Sequence, residues 1–141
     1  MIRRMQNADI DRVAGIWLDA NLRAHSFISP QYWKSNFAPV KEMLPQAEVY
    51  VYENDREIQG FIGLNGAYIE GIFVSGEMQS RGIGKRLLDF VKTKKTELRL
   101  NVYQKNMRAI RFYQRDGFKI LREGMDEATG EKDYEMTWRQ E

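Results

Sequence analysis

Apolar residues recur along the chain in two periods, one helical and one alternating, and the switches between them outline the elements. A short apolar start, "MIRRM" (1–5), predicts a strand. "NADIDRVAGIWLDANL" (7–22) then places Ile10, Val13, Ala14, Trp17 and Leu18 on one helical face, with Asn7 as the expected cap and Asp9 and Asp11 in the first turn. "SPQYWKSNFAPVKEML" (29–44) reads as a second helical region opened by Ser29 and Pro30, with Pro39 kinking or splitting it. "EVYVYE" (48–53) predicts a strand and "NDRE" (54–57) a turn. "IQGFIGLNGAYIEGIFV" (58–74) predicts two more strands joined near Asn65 and Gly66.

The period then changes. Ile83, Leu87, Leu88 and Val91 line one face of a helix whose last turn carries Lys92, Lys94 and Lys95. "ELRLNVY" (97–103) alternates Leu98, Leu100 and Val102 against polar neighbours, the mark of a half-buried strand. "NMRAIRFYQRDGF" (106–118) predicts a helix capped by Asn106 and stopped at Gly117. "FKILRE" and "YEMTW" close the chain as an antiparallel pair around "DEATGEKD". The order β α α β β β α β α β β predicts an α/β fold, a mixed sheet with helices on both faces. With 141 residues and neither a linker nor a repeat, residues 1–141 read as a single domain.

Composition narrows the chemistry. The chain has no cysteine, which removes disulfides, a thiolate nucleophile and cysteine-based zinc sites, and no metal is expected. The N-terminus lacks the apolar core of a signal peptide and no apolar run approaches membrane-spanning length, so the expectation is a soluble, cytoplasmic protein without a membrane partner. Charge is unevenly spread. Residues 1–78 carry 7 basic and 10 acidic side chains, residues 79–119 carry 12 and 3, and residues 120–141 carry 3 and 7. A local excess of positive charge suits a bound polyanion of limited size better than a surface that coats nucleic acid.

That excess begins at "QSRGIGKRL" (79–87), a glycine-rich turn between an apolar strand and a helix. Unpaired N–H groups and the positive end of the helix dipole converge there, so a phosphate is the expected guest. Two nucleotide motifs fail: a dinucleotide fingerprint needs glycine where Leu87 stands, and a P-loop needs serine or threonine where Arg86 stands. Gln79, Arg81, Gly82 and Gly84 instead match Gln/Arg, two residues, Gly, one residue, Gly/Ala, and "NMRAIRFYQRDGF" follows at the spacing of a second signature. On these motifs the chain resembles the GNAT superfamily of acetyl-CoA-dependent N-acetyltransferases. "AHSFI", "YW" at Tyr32 and Trp33, and "VYQKN" are similar to its YiaC-like bacterial branch. Gly76 stands where many members carry proline, which loosens the approach to the loop.

The resemblance implies a central, mostly antiparallel twisted sheet of about seven strands flanked by about four helices and splayed between strands 4 and 5. It also implies direct acetyl transfer from acetyl-CoA to a primary amine: a protein lysine, a protein N-terminus or a small amine. By the same resemblance Gln79, Ser80, Arg81, Gly82, Ile83, Gly84 and Lys85 would hold the coenzyme pyrophosphate, and the backbone of Ile72, Phe73 and Val74 the pantetheine arm. Tyr113 occupies the general-acid position, and Asn106 is either a coenzyme contact or only a helix cap. Of the basic side chains, Arg81, Lys85 and Arg86 fit the pyrophosphate and Lys105, Arg108 or Arg111 would reach the 3′-phosphate, or else each is only a surface charge.

The residues themselves supply further readings. Freeing a lysine-like amine of its proton at pH 7 costs about 4.6 kcal/mol, so a base is useful. Glu70, in the fourth strand, is the candidate, acting through water, or else an ion-paired strand residue. Gly71 beside it suggests a bulge that splays the strand. His25, the sole histidine, with Phe27, Trp33 and Tyr68, would wall the acceptor site or serve only as structure. A non-catalytic acyl-CoA sensor of the same fold is the alternative to the enzyme. Nucleic acid is an unlikely partner, and monomer and homodimer remain equally open.

Overall fold

A computed structural model describes all 141 residues. Seven strands, β1 (Ile2–Arg4), β2 (Glu48–Asn54), β3 (Glu57–Asn65), β4 (Tyr68–Val74), β5 (Glu97–Tyr103), β6 (Lys119–Met125) and β7 (Lys132–Arg139), form one sheet in the order β1-β2-β3-β4-β5-β7-β6. The helices are α1 (Ile10–Ala24), α2 (Pro30–Ser35), α3 (Phe37–Met43), α4 (Ile83–Lys92) and α5 (Met107–Arg115). Every pairing is antiparallel except β4 with β5, which run parallel and share a single registered pair, Tyr68 with Arg99, before they diverge. The expected splay between strands 4 and 5 is therefore present. β7 returns between β5 and β6, so the C-terminal wing is a three-stranded antiparallel unit hinged on that one contact.

Five helices replace the expected four because the second helical region breaks at Asn36. Pro39 lies in the first turn of α3, where its missing N–H leaves no helical bond unmade, whereas a continuous helix would have required that donor. Asn7 is not the cap of α1. Asn7–Asp9 form a 3-10 turn that precedes it, and the Asp9 carboxylate turns back to accept the Gln6 N–H at 2.8 Å and the Arg3 guanidinium at 2.8 Å. Those bonds hold the Asp9 carboxyl below the usual aspartate range. The last turn of α4 also ends sooner than expected, at Lys92, leaving Lys94 and Lys95 beyond it.

Alternation along the strands divides the core between the two faces. Val49 and Val51 of β2 and Phe61 of β3 meet Val13, Ala14 and Ile16 of α1. Tyr50 and Tyr52, with Ile62 and Leu64, face α4 and α5, whose Leu87, Leu88, Val91 and Ile110 pack on Leu98, Leu100 and Val102 of β5. β3 is buried on both faces between its terminal residues, whereas edge strand β6 is exposed throughout and carries Lys119, Arg122 and Glu123, charges that discourage further pairing. Asp55 and Arg56, both at positive φ, make the β2–β3 hairpin turn. No helix is long and apolar enough to cross a membrane.

Candidate active site

Divergence of β4 and β5 leaves the β4 edge beyond Tyr68 without a neighbouring strand, and a cleft of about 970 Å³ runs along it. The register of β3 against β4 slips between the pairs Gly63–Gly71 and Leu64–Ile69, so Glu70 is the extra residue of a bulge. The bulge expected at Gly71 thus centres on its neighbour. Phe73 folds its ring back over Gly71, where a Cβ would collide with it, and stacks on Phe61 at 5.1 Å. Ile72 and Val74 turn the other way, into the core under α4.

The far end of this wall is the glycine turn. Gly82 caps α4 at φ +80°, a left-handed conformation that glycine adopts without strain, and no atom lies within 4 Å of where its Cβ would be. The first helical bond runs from the Arg86 N–H to the Gly82 carbonyl at 3.1 Å, so the N–H groups of Ile83, Gly84 and Lys85 have no partner within the helix. With Gly82, these three line the cleft, as do Gln79 and Ser80, and together they form an anion-seeking pole. Gly84 admits the Phe112 ring, which would lie 3.5 Å from a Cβ. At Gly76, the guanidinium of Arg23 occupies the space where a side chain would start, so the glycine seats an arginine of α1.

The basic side chains of the loop are not equivalent. Lys85 lines the cleft but is tied to Asp116 at 2.9 Å and Asp89 at 3.3 Å. Arg81 is exposed and does not line the cleft, and Arg86 turns to the Tyr52 hydroxyl at 2.8 Å on the α4 side of the sheet. Arg108 of α5 reaches back across the cleft to Ser80 at 2.8 Å and Gln79 at 3.5 Å, fastening the loop to the opposite wall.

That opposite wall is α5. Asn106 caps it through a bond from the Ala109 N–H to Oδ1 at 3.2 Å, and Tyr113 lies about two turns further on. Tyr113 lines the cleft, is 8% exposed, and packs between Phe112 and Phe118 at 5.2 and 5.4 Å. Burial, with a smaller contribution from the phenol of Tyr68, pushes its hydroxyl well above the ordinary tyrosine range, so it carries its proton at neutral pH.

Three of the four expected acceptor-wall residues come together. His25 stacks on Trp33 at 5.4 Å and meets Phe27 and Tyr103 edge-on at 5.6 and 5.0 Å. His25 also lines the cleft, whereas Phe27 and Trp33 stand behind it. Tyr68 lies apart, its hydroxyl donating to Asn101 Oδ1 at 2.8 Å. Burial and the nearby carboxylate of exposed Glu70 raise the Tyr68 phenol. Asn21, Met78 and Phe112 also line the cleft and were not anticipated. Phe112 adjoins Tyr113 within "NMRAIRFYQRDGF", and nothing in the local pattern distinguishes Asn21 or Met78.

The family model described as an acetyltransferase (GNAT) domain matches residues 18–139. The peptidyl-lysine N-acetyltransferase YiaC of Escherichia coli K12 is 34% identical over 140 residues, covering 98% of this chain and 96% of that protein. The solution structure of apo YjaB from Escherichia coli superposes with a TM-score of 0.88 at 25% identity, covering 100% of this chain and 98% of that one. The PaiA N-acetyltransferase of Thermoplasma acidophilum, solved with coenzyme A, shares the fold at a TM-score of 0.84 and 22% identity, over 99% and 98% of the two chains.

Proposed function

This chain belongs to the acetyltransferase (GNAT) family, and from that premise we propose that it moves an acetyl group from acetyl-CoA to the side-chain amine of a lysine in a protein. One observation carries the reading: a single cleft joins the unpaired N–H groups at the start of α4 to the buried, protonated hydroxyl of Tyr113. The two ends suit the two ends of an acyl-coenzyme, phosphates at the helix pole and thioester at the phenol. The lysine acceptor is taken from the naming of the YiaC and YjaB relatives.

In this reading Gly82, Ile83, Gly84 and Lys85, with Gln79 and Ser80, hold the pyrophosphate, and Arg81 at the lip adds positive charge. The free edge of β4 at Ile72, Phe73 and Val74 pairs with the pantetheine arm as an added strand would. Glu70, projecting from the bulge into solvent, takes the proton of the incoming ammonium through water. The neutral amine attacks the thioester carbonyl, the new C–N bond forms, and the C–S bond breaks as the tetrahedral intermediate collapses. Tyr113 gives its proton to the departing sulfur, whose conjugate acid, a thiol with a pKa of ~8.5 by analogy with cysteine, leaves better than the thiolate, and the proton that the new amide nitrogen sheds restores the phenol through water. His25, which lines the cleft in front of Phe27 and Trp33, borders the side from which the acceptor enters, and Tyr68 stands apart from it.

Thermal unfolding of the protein with acetyl-CoA, coenzyme A and ATP tests the coenzyme reading. A ligand at about 100 times its dissociation constant adds about 2.7 kcal/mol and raises the midpoint by several degrees. The expected result is a shift with both coenzymes and little with ATP, followed by acetylation of lysine peptides and not of their arginine counterparts. A cooperative transition that neither coenzyme moves overturns the reading. Binding without transfer to any amine favours the sensor alternative.

A further inference from the structure

The chain's only histidine is bonded at both ring nitrogens, and its partners dictate which nitrogen carries the proton. Asn21 Nδ2 donates to the Trp17 carbonyl at 2.9 Å, which leaves Asn21 Oδ1 to face His25 Nδ1 at 3.0 Å. On the other side Asn106 Oδ1 is committed to the Ala109 N–H at 3.2 Å, which leaves Asn106 Nδ2 to face His25 Nε2 at 3.1 Å. One arrangement satisfies all four bonds: Nδ1 protonated and donating, Nε2 bare and accepting. The relay runs from α1 through the imidazole to the cap of α5, joining residues 81 positions apart in sequence.

We infer that His25 is a positioning residue for coenzyme binding: its bare Nε2 fixes the side-chain amide of Asn106, and with it the first turn of α5, against α1 across the cleft. This consequence rests on the acetyl-CoA reading above. The amide so fixed keeps Oδ1 on the α5 cap and has one further N–H to offer a ligand carbonyl. Both ring nitrogens are engaged, so His25 cannot take a substrate proton without releasing Asn106, and a role as catalytic base is incompatible with the relay.

Protonation is the device's weak point. A proton on Nε2 would oppose the Asn106 N–H with another donor, and turning the amide around to offer Oδ1 would strip the Ala109 N–H of its cap. The protein resists that proton. Trp33 stacked on the ring, with Phe27 and Tyr103 edge-on to it, shields it from much of the water, and burial lowers its pKa from 6.5 to about 4. The titratable groups that face it are the Tyr103 phenol on β5, which donates to Asp126 at 2.5 Å, and, beyond Phe27, the Lys105 ammonium, 5.4 Å from that ring's centre. On α1, Arg23 is paired with Asp19.

With one histidine in the chain, long-range ¹H–¹⁵N NMR of the intact protein reads its state without ambiguity. The expected spectrum at pH 7 is the Nδ1–H tautomer, titrating near pH 4. Calorimetry of acetyl-CoA binding at fixed pH then compares the wild type with His25→Ala and His25→Gln. Alanine removes the acceptor and weakens binding roughly fivefold, the size of one hydrogen bond. Glutamine, whose Oε1 can receive the Asn106 N–H, recovers to within about twofold of wild type. The Nε2–H tautomer, an ordinary histidine titration near 6.5, or glutamine binding no better than alanine each overturns the inference; a packing role alone predicts the last, since glutamine cannot stack on Trp33. If the wild type binds no acetyl-CoA, the coenzyme reading fails, and the positioning role falls with it whatever the tautomer. If it binds and the variants do not separate, only the positioning role fails.

Discussion

The two walls of the cleft are built on different principles. On the β4 wall the groups proposed to act are backbone: a strand edge without a neighbour, a left-handed glycine and three N–H groups at the start of α4. Side chains there mostly point elsewhere, Ile72 and Val74 into the core and Phe73 onto Phe61. On the α5 wall the groups proposed to act are side chains, the amide of Asn106 and the hydroxyl of Tyr113, each set by a few identifiable contacts. A wall that works through backbone is sensitive to shape and to charge placed in its path, and tolerant of most side-chain changes. A wall that works through side chains can lose its role with a single atom.

The largest effect expected from this contrast is at Gly82. Gly82→Glu forces a left-handed conformation on a side-chain-bearing residue, about 1–2 kcal/mol, and sets a carboxylate at the anion pole. The fold should survive, because an acidic residue at a helix start favours the dipole, but acetyl-CoA should no longer raise the unfolding midpoint. Gly82→Ala carries the same backbone strain without the charge, and open space surrounds the new Cβ, so it should retain part of the shift. Equal loss in both variants would make backbone conformation, and not anion attraction, the wall's contribution.

Tyr113→Phe addresses the other wall. The ring's contacts with Phe112 and Phe118 persist, so the variant should fold and bind coenzyme as the wild type does, while losing the proposed proton donor. Steady-state kinetics should show kcat reduced by roughly 10²-fold or more, with KM for acetyl-CoA within about twofold. Full turnover in this variant would remove Tyr113 from the chemistry and make α5, too, a wall of shape.

The contrast between the walls also decides what sequence reasoning could reach. Features set by near neighbours in sequence announce themselves locally: Gly82 and Gly84 beside an amphipathic helix, Asn106 as a cap, and the alternation of Leu98, Leu100 and Val102 are all legible, and each appears where expected. The break at Asn36 was half legible, because Pro39 signals it without choosing the residue. What local pattern cannot hold is partnership. His25 read as an isolated histidine because Asn106, which completes it, lies 81 residues away. The cap expected at Asn7 failed for a different reason: Asp9 is recruited by near neighbours, Gln6 and Arg3, which fold a 3-10 turn ahead of α1. The family resemblance placed strands 4 and 5 apart, but the return of β7 between β5 and β6 depends on pairings that no local window contains.

Arg86 carries the smallest expected effect and separates two sources of anion attraction. Composition treats Arg81, Lys85 and Arg86 as one positive patch, yet Arg86 is spent on the Tyr52 hydroxyl at 2.8 Å and lies over that ring at 5.8 Å. If the aligned N–H groups of α4 do the holding, Arg86→Ala leaves KM for acetyl-CoA within about 1.5-fold and lowers stability by about 0.5–1 kcal/mol, through the lost contact with Tyr52 alone. If the diffuse field of residues 79–119 does it, the same variant weakens binding severalfold at low salt, and the difference fades by 0.5 M salt as the field is screened. A salt-independent loss would fit neither source and would mean that Tyr52, released from Arg86, disturbs the base of α4; urea unfolding of the variant would then show more than 1 kcal/mol of lost stability, well beyond one exposed contact.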